Sequence, residues 1–295
     1  MESLIFYIVD VFAETKYTGN QLAVILNAGT LTSRQMQAIA KEINYSETTF
    51  ILSNQPHSSG YPVRIFTPET ELPFAGHPTL GTAYIIQQKI IQKRAPEIIL
   101  NLPIGQIPVN FDYDQPHFPL LWMEQQPPKF KQIISADSIT NVLNLDIDSI
   151  DTRFPIQEVS TGIPFIIIPL KNQAALKSIK VNRDKYFELI TTTEAKCILA
   201  FCSQTHHPEN QLQVRVFCDY LGIPEDPATG SANGCLAAYL LHNSYFGSDT
   251  VDISVEQGYE IGRPSRLHLK ALYREKQIQV KVGGKVIPIA QGELL

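Results

Sequence analysis

Cysteine is scarce in this chain of 295 residues, and none of it is arranged for chemistry. Cys197, Cys202, Cys218 and Cys235 form no CxxC pair and stand at no zinc-type spacing from histidine, which reads as free, buried thiols in a reducing cytoplasm. On that reading the Asn44-Tyr45-Ser46 sequon carries no meaning. The net charge is −5 and there is no cluster of Lys or Arg, which argues against nucleic acid or an anionic membrane as a partner. No apolar run reaches the ~18–20 residues of a membrane span. The apolar run 4–12 lacks a basic lead and contains Asp10, so it is a strand, not a signal peptide. GxGxxG after a strand, GxxxxGK[ST], HExxH and GxSxG are all missing. Nothing therefore argues for a nucleotide, a metal or a serine nucleophile.

What is present is an ordinary globular composition, 44% hydrophobic and 18% charged, with length enough for about two domains. Two stretches share one grammar. Residues 64–84 (RIFTPETELPFAGHPTLGTAY) and 215–239 (RVFCDYLGIPEDPATGSANGCLAAY) each open with Arg, an aliphatic residue and Phe. Each crosses a turn-rich loop to an alanine, Ala75 or Ala228, with a glycine six residues on, Gly81 or Gly234. Each then enters a helix apolar nearly all round, which belongs inside a protein. The turn Thr18-Gly19 and the strand after it are echoed by Thr161-Gly162 and theirs, so the repeat offset is about 145 residues, too long for a solenoid.

In chain order, 22–26 is a second strand, and Thr32 to Gln35 forms a capping box ahead of an amphipathic helix carrying Met36, Ile39, Ala40 and Ile43. A polar run, 44–49, leads into the strand 50–52, and the strand 62–66 follows. Pro78 as first helical residue with His77 as its cap predicts a helix from 79 to about 89. Strands follow at 97–102 and 106–110, and later at 198–201, 251–256 and 267–272, with a helix near 184–191. Gly283-Gly284 between two alternating strands predicts a hairpin with a primed turn. The fold class is α+β: two pseudo-symmetric domains, each a curved, mainly antiparallel or mixed sheet wrapped around its central helix, with a cleft at their junction. The halves are 1–115, completed by a strand near 285–295, and 116–284, with the irregular, Pro-containing stretch 112–118 as the boundary.

Candidate functional residues follow from the two loop–helix junctions. A helix N-terminus offers free N–H groups and partial positive charge, and Gly76 and Gly230 allow a ligand close to the backbone. Two such junctions facing one another would grip a small anionic metabolite. His77 and Ser231 can instead be read as mere caps worth ~1 kcal/mol each, but matched junctions in both halves favour the ligand. Glu47, in the polar run between a helix and an apolar strand, can be a solvated residue, or a partly desolvated carboxyl suited to passing a proton. Glu225 and Asp226 sit in a loop constrained by prolines, so one of the two points inward; which one stays open. His77 can donate to an anion, whereas His206 and His207 read as solvent-facing.

GN-x-LAV at 19–24, the helix-to-strand passage 36–50, FAGHPTLGTA at 74–83, STGIPF at 160–165, EDPATGSANG at 225–234 and EQGYEIGRPS at 256–265 together resemble the phenazine-biosynthesis isomerase family. That family has the diaminopimelate-epimerase-like fold, which agrees with the architecture above. The resemblance implies a cofactor-independent isomerase acting on a dihydro-3-hydroxyanthranilate-like acid, with Glu47 as proton carrier. It implies substrate binding by His77, Asp226 and Ser231 and a homodimer; the junction argument adds Ala75, Gly76 and Gly230 to the binding set, with no metal. The epimerases and racemases of the same fold carry a thiol at each junction, where this chain is similar in position but has Ala75 and Ala228. An epimerase, or a small-molecule-binding protein without turnover, are the alternatives. Two departures from the family pattern are Gln21, where proline is usual, and Arg215-Val216-Phe217-Cys218-Asp219, where Arg-x-Phe-x-Pro is usual.

Overall fold

A computed structural model describes residues 4–114 and 117–295 of the chain, and the boundary expected at 115/116 lies outside the described residues. The chain divides into two compact units, Met1–Glu124 with Gly283–Leu295, and Gln125–Val282.

The first unit holds β1 (Leu4–Val11), β2 (Asn20–Ile25), α1 (Ser33–Ile43), β3 (Glu47–Ile51), β4 (Tyr61–Phe66), β5 (Glu71–Leu72), α2 (Gly76–Ile85), β6 (Glu97–Leu102), β7 (Gly105–Asp112) and β8 (Leu120–Glu124). The strand Val286–Leu294 pairs antiparallel with β1, and the sheet continues through β2, β3, β4, β6, β7 and β8. Pairing is antiparallel except at β2–β3 and β4–β6, and the short β5 folds back on β4. β8 belongs to this unit because its residues 120–123 pair with β7. All ten residues of α2 are buried, and the helix packs against β1, β2, β3, β6, β7, β8 and the strand Val286–Leu294. A sheet that wraps a helix this closely needs a small residue at the contact. Gly81 supplies it, since a Cβ there would lie 2.5 Å from Leu22 Cδ2 and 3.0 Å from Val11 Cγ2. On the other face of the sheet, Met36 and Ala40 of α1 cover Ile25, Phe50 and Phe66. The Thr32–Gln35 capping box is formed.

The second unit holds β9 (Lys129–Ile133), α3 (Ala136–Leu143), β10 (Gln157–Ser160), β11 (Pro164–Pro169), α4 (Gln173–Ser178), α5 (Arg183–Leu189), β12 (Cys197–Cys202), β13 (Leu212–Cys218), β14 (Ile223–Asp226), α6 (Gly230–His242), β15 (Thr250–Gln257), β16 (Ser265–Arg274) and β17 (Gln277–Gly284), the last two residues of which, Gly283 and Gly284, already belong to the first unit. The order β9, β10, β11, β12, β13, β15, β16 repeats the order and the sense of pairing of the first unit, with parallel steps at β11–β12 and β13–β15 and β14 folded back on β13. α6 is buried along twelve of its thirteen residues and packs on β10, β11, β15 and β16. Here α3, α4 and α5 cover the outer face through Ile139, Leu143, Leu176 and Tyr186. β11 and β12 are thus buried on both sides, which is why FIII and ILAF read as unbroken apolar runs.

Two local expectations are corrected. Gly283 and Gly284 are not a turn: both lie in β17 without positive φ, where a Cβ would strike the Trp122 ring at 2.6 Å and the Phe12 ring at 2.3 Å. Their smallness serves packing. The primed turn lies earlier, at Glu275 and Lys276 between β16 and β17, both with positive φ. The second correction concerns α2, which starts at Gly76 with Ala75 before it, so Pro78 is its third residue and His77 is no cap. Proline is tolerated there because N–H groups in the first turn have no partner within the helix. Past Ile85 the helix widens into a π turn over Ile86–Ile91.

Candidate active site

In the first unit, three neighbouring elements bring Glu47 and His77 together. β2 and β3 run parallel with Leu22 opposite Glu47, which sets Glu47 beside the main chain of Gln21. α2 starts against the same strands and buries His77 in its first turn. His77 Nε2 stands 3.3 Å from Glu47 Oε2, and the two side chains are only 6% and 12% exposed. Burial pushes the imidazole pKa down to about 3, partly offset by a hydrogen bond to the main chain of Gln21, so the ring is neutral near pH 7.

A neutral imidazole carries one N–H. The bond to the Gln21 main chain favours the protonated ring, so there His77 is the donor. Nε2 makes no aligned hydrogen bond, which places the proton on Nδ1. Nε2 therefore offers a lone pair towards Glu47 Oε2: it can accept from the carboxylic acid form and has nothing to donate to the carboxylate. Such an arrangement suits a carboxyl that is to gain and lose a proton beside a fixed acceptor. Residue 21 contributes through its main chain, so glutamine in place of the usual proline leaves that contact intact.

In the second unit, Glu225 and Asp226 separate cleanly. Arg215 grips Glu225 with Nε–Oε1 at 3.0 Å and Nη2–Oε2 at 2.7 Å, and its other arm donates to the carbonyls of Leu176 and Ile179. Successive residues of a strand point to opposite faces, so Asp226 turns the other way and accepts from the Thr229 hydroxyl. The first unit has the same brace: Arg64 binds Glu71 at 2.7 and 2.6 Å, and each arginine lies 5.0 Å over the ring of the Phe two residues on. The repeated Arg-x-Phe is thus a structural clamp, which spacing in the sequence could not show. Asp219, which stands where proline is usual, pairs with Arg183 at 3.1 Å.

α6 starts at Gly230 after Thr229, and Ser231 is its buried second residue. Neither α2 nor α6 has a side-chain hydrogen bond at its N-cap, so neither His77 nor Ser231 acts as a cap. Glu47, Ala75, Gly76 and His77 gather in the first unit, and Asp226, Gly230 and Ser231 in the second. Ala75 and Ala228 are buried at the junctions. Burial pushes the Cys202 and Cys235 thiols up to about 11, which keeps them protonated. Two surface cavities of the first unit, one lined by Leu26, Tyr61 and Lys89, the other by Tyr7, Tyr84 and Pro288, include none of these residues. Among the described residues no helix is long and apolar enough to cross a membrane.

Sequence reasoning missed Thr229 and Gln257. Gln257 lies in the EQG segment, whose only visible signal was its place in a recurrent motif.

The family model for phenazine biosynthesis-like proteins matches residues 9–292. An uncharacterized isomerase from Clostridium acetobutylicum is 30% identical over 302 residues, covering 98% of this chain and 97% of that one. The trans-2,3-dihydro-3-hydroxyanthranilate isomerase of Pseudomonas chlororaphis is 31% identical over 294 residues, covering 98% and 99%. Among solved structures, a Bacillus anthracis phenazine biosynthesis protein of the PhzF family superposes with a TM-score of 0.92 at 26% identity, over 100% of both chains.

Proposed function

The chain belongs to the phenazine biosynthesis-like family, and on that premise we propose that it is a cofactor-independent isomerase that moves a proton on a small conjugated carboxylic acid, with Glu47 as the proton carrier. The observation that carries this reading is the buried apposition of Glu47 Oε2 and the neutral His77 ring at 3.3 Å. The carboxylate takes a proton from one carbon of the substrate. The electron pair left behind spreads through the conjugated system, and the carboxylic acid returns the proton at a second carbon. Atoms and electrons balance without an oxidant, a metal or a cofactor. His77 Nε2 accepts from Glu47 while it holds the proton. It also keeps the carboxyl directed between the two transfers.

Binding is assigned to Ala75, Gly76 and His77 at the start of α2 and to Asp226, Gly230 and Ser231 of the second unit. The uncapped N–H groups of both helices suit a carboxylate and any charge developing on the conjugated ring. Dihydro-3-hydroxyanthranilate, for which the Pseudomonas relative is named, fits this description and is the substrate to try first. A two-thiol racemisation has no support, because Ala75 and Ala228 hold the junctions.

The test is Glu47→Gln, which keeps size and hydrogen bonding but cannot take a proton. In D2O the wild type should incorporate solvent deuterium into the product, and the variant's turnover should fall by ~10²–10⁴-fold. Its affinity for 3-hydroxyanthranilate, an aromatic analogue that cannot isomerise, should change little. Near-normal turnover in the variant would overturn the assignment and pass the role to Asp226 or His77.

A further inference from the structure

The EQG segment at 256–258 does its work through hydrogen bonds that no sequence pattern reveals. Glu256 is fully buried, and its two oxygens accept from the main-chain N–H groups of His206 and His207 and from Asn210, which pins that loop. Gly258, at φ +79, stands where a Cβ would lie 2.6 Å from the Pro227 carbonyl, so only glycine lets the loop ahead of α6 come this close.

Between them Gln257 is also fully buried, and both ends of its carboxamide are in use. Nε2 donates to the Asp226 carbonyl at 2.8 Å and to the Thr229 hydroxyl at 3.0 Å. Oε1 accepts from the Thr229 N–H at 3.2 Å and from Asn233 at 2.9 Å. A hydroxyl has one proton. Since Gln257 donates into the Thr229 oxygen, that proton is free to go only outward, and it goes to Asp226 Oδ2.

We propose that Gln257 is a positioning residue: by donating to Thr229 it fixes the direction of the Thr229 hydroxyl, and through it the orientation and charge of the Asp226 carboxylate. That Asp226 serves substrate binding rests on the function proposed above; that Gln257 controls Thr229, and Thr229 controls Asp226, does not. The relay has a diagnostic. Gln257→Glu is nearly isosteric and keeps the acceptor for Thr229 and Asn233, but its carboxylate now takes the Thr229 proton instead of directing it to Asp226. The consequence of Thr229→Val for Asp226 must therefore depend on residue 257.

The experiment follows the carboxyl carbon resonance of Asp226 by NMR as pH is varied, the signal being identified by its loss in Asp226→Asn. With Gln257 in place, Thr229→Val should move the titration midpoint of Asp226 upward by about one pH unit, the size of a lost hydrogen bond to a charged group, and Thr229→Ser should not move it. In the Gln257→Glu background Thr229→Val should leave the midpoint where it is. An equal Thr229→Val shift in both backgrounds would reduce Gln257 to a structural prop and overturn the proposal, as would no shift in either. If Gln257→Glu does not fold, Gln257→Met serves under the same criterion, with the Thr229→Val shift reduced because the hydroxyl is free to rotate. A second readout is kcat/KM on trans-2,3-dihydro-3-hydroxyanthranilate, where Thr229→Val should cost about tenfold with Gln257 present and nothing further in Gln257→Glu. Wild type without turnover of this compound would count against the proposed function alone; the titration would still decide the relay.

Discussion

His77 is neutral because it is buried, and that has a cost in acid. An unfolded histidine titrates near ~6.5, whereas the folded ring holds out to about 3. Between these values the unfolded chain binds a proton that the native chain does not. Stability carried by this group is therefore full above the unfolded value. It is lost as the pH falls, by up to about 1.4 kcal/mol per pH unit, until the native ring itself protonates. His77→Gln should flatten this part of the acid profile, so that wild type and variant converge in urea midpoint between pH 7 and 4.5; parallel curves would show that the ring is not buried neutral. At Ala75, a cysteine supplies one thiol of the racemase pattern but leaves alanine, Ala228, at the second junction. Ala75→Cys should give no racemisation of proline or diaminopimelate by chiral chromatography, and a measurable rate would reopen that chemistry. Glu47 and His77 were readable as candidates from residue type and neighbourhood, but the choice between Glu225 and Asp226 was not. It depends on which face of β14 each occupies, and the sequence does not state register.

At the scale of elements, the two arginine clamps differ in burial, and the difference sets their worth. Arg215 and Glu225 are 9% and 10% exposed, Arg64 and Glu71 24% and 34%. Removing one partner of a buried pair strands the other charge and costs ~3–5 kcal/mol, whereas a pair half in water is worth about 1 kcal/mol or less. Glu225→Ala should thus lower stability several-fold more than Glu71→Ala in urea unfolding, and equal losses would show that β14 is held by something else. Gly81→Ala gains up to ~1 kcal/mol of helix propensity yet should still destabilise, because its Cβ would meet the buried Leu22, Val11 and Val9. The elements easiest to read were those whose partners are local. Thr32 and Gln35 of the capping box are three residues apart, and the apolar runs of β11, β12 and α6 declare burial by composition alone. Gly283-Gly284 misled because glycine in a turn and glycine beneath a Trp122 ring look identical until the neighbour is known. His77-Pro78 misled for a related reason: proline suits any position of the first turn, not only its first.

At the scale of the molecule, the order and sense of strand pairing repeat between the units, and the repeated Arg-x-Phe, Thr-Gly and helix junctions carried that much in the sequence. The Glu124–Gln125 boundary was less visible, because β8 is joined to β7 by pairing and not by composition. The strand Val286–Leu294 pairs along the whole of β1 and buries Val286 and Ile287. Deleting 286–295 should leave β1 with an open edge. Amide exchange in β1 and β2 should rise well above that in β12 and β13, and uniform protection would argue against a first unit closed by this strand.

That pairing also fixes an order of events during synthesis. Strand β1 leaves the ribosome ahead of the second unit, yet its partner emerges only after the whole of that unit has been made. At ~5–20 residues per second the wait is on the order of 10 s or more, during which the first unit has an unpaired edge and a helix whose sheet is incomplete. The second unit, drawn from one continuous segment, has no such delay. The nascent chain should therefore finish its later half first and engage a holding chaperone through its earlier one.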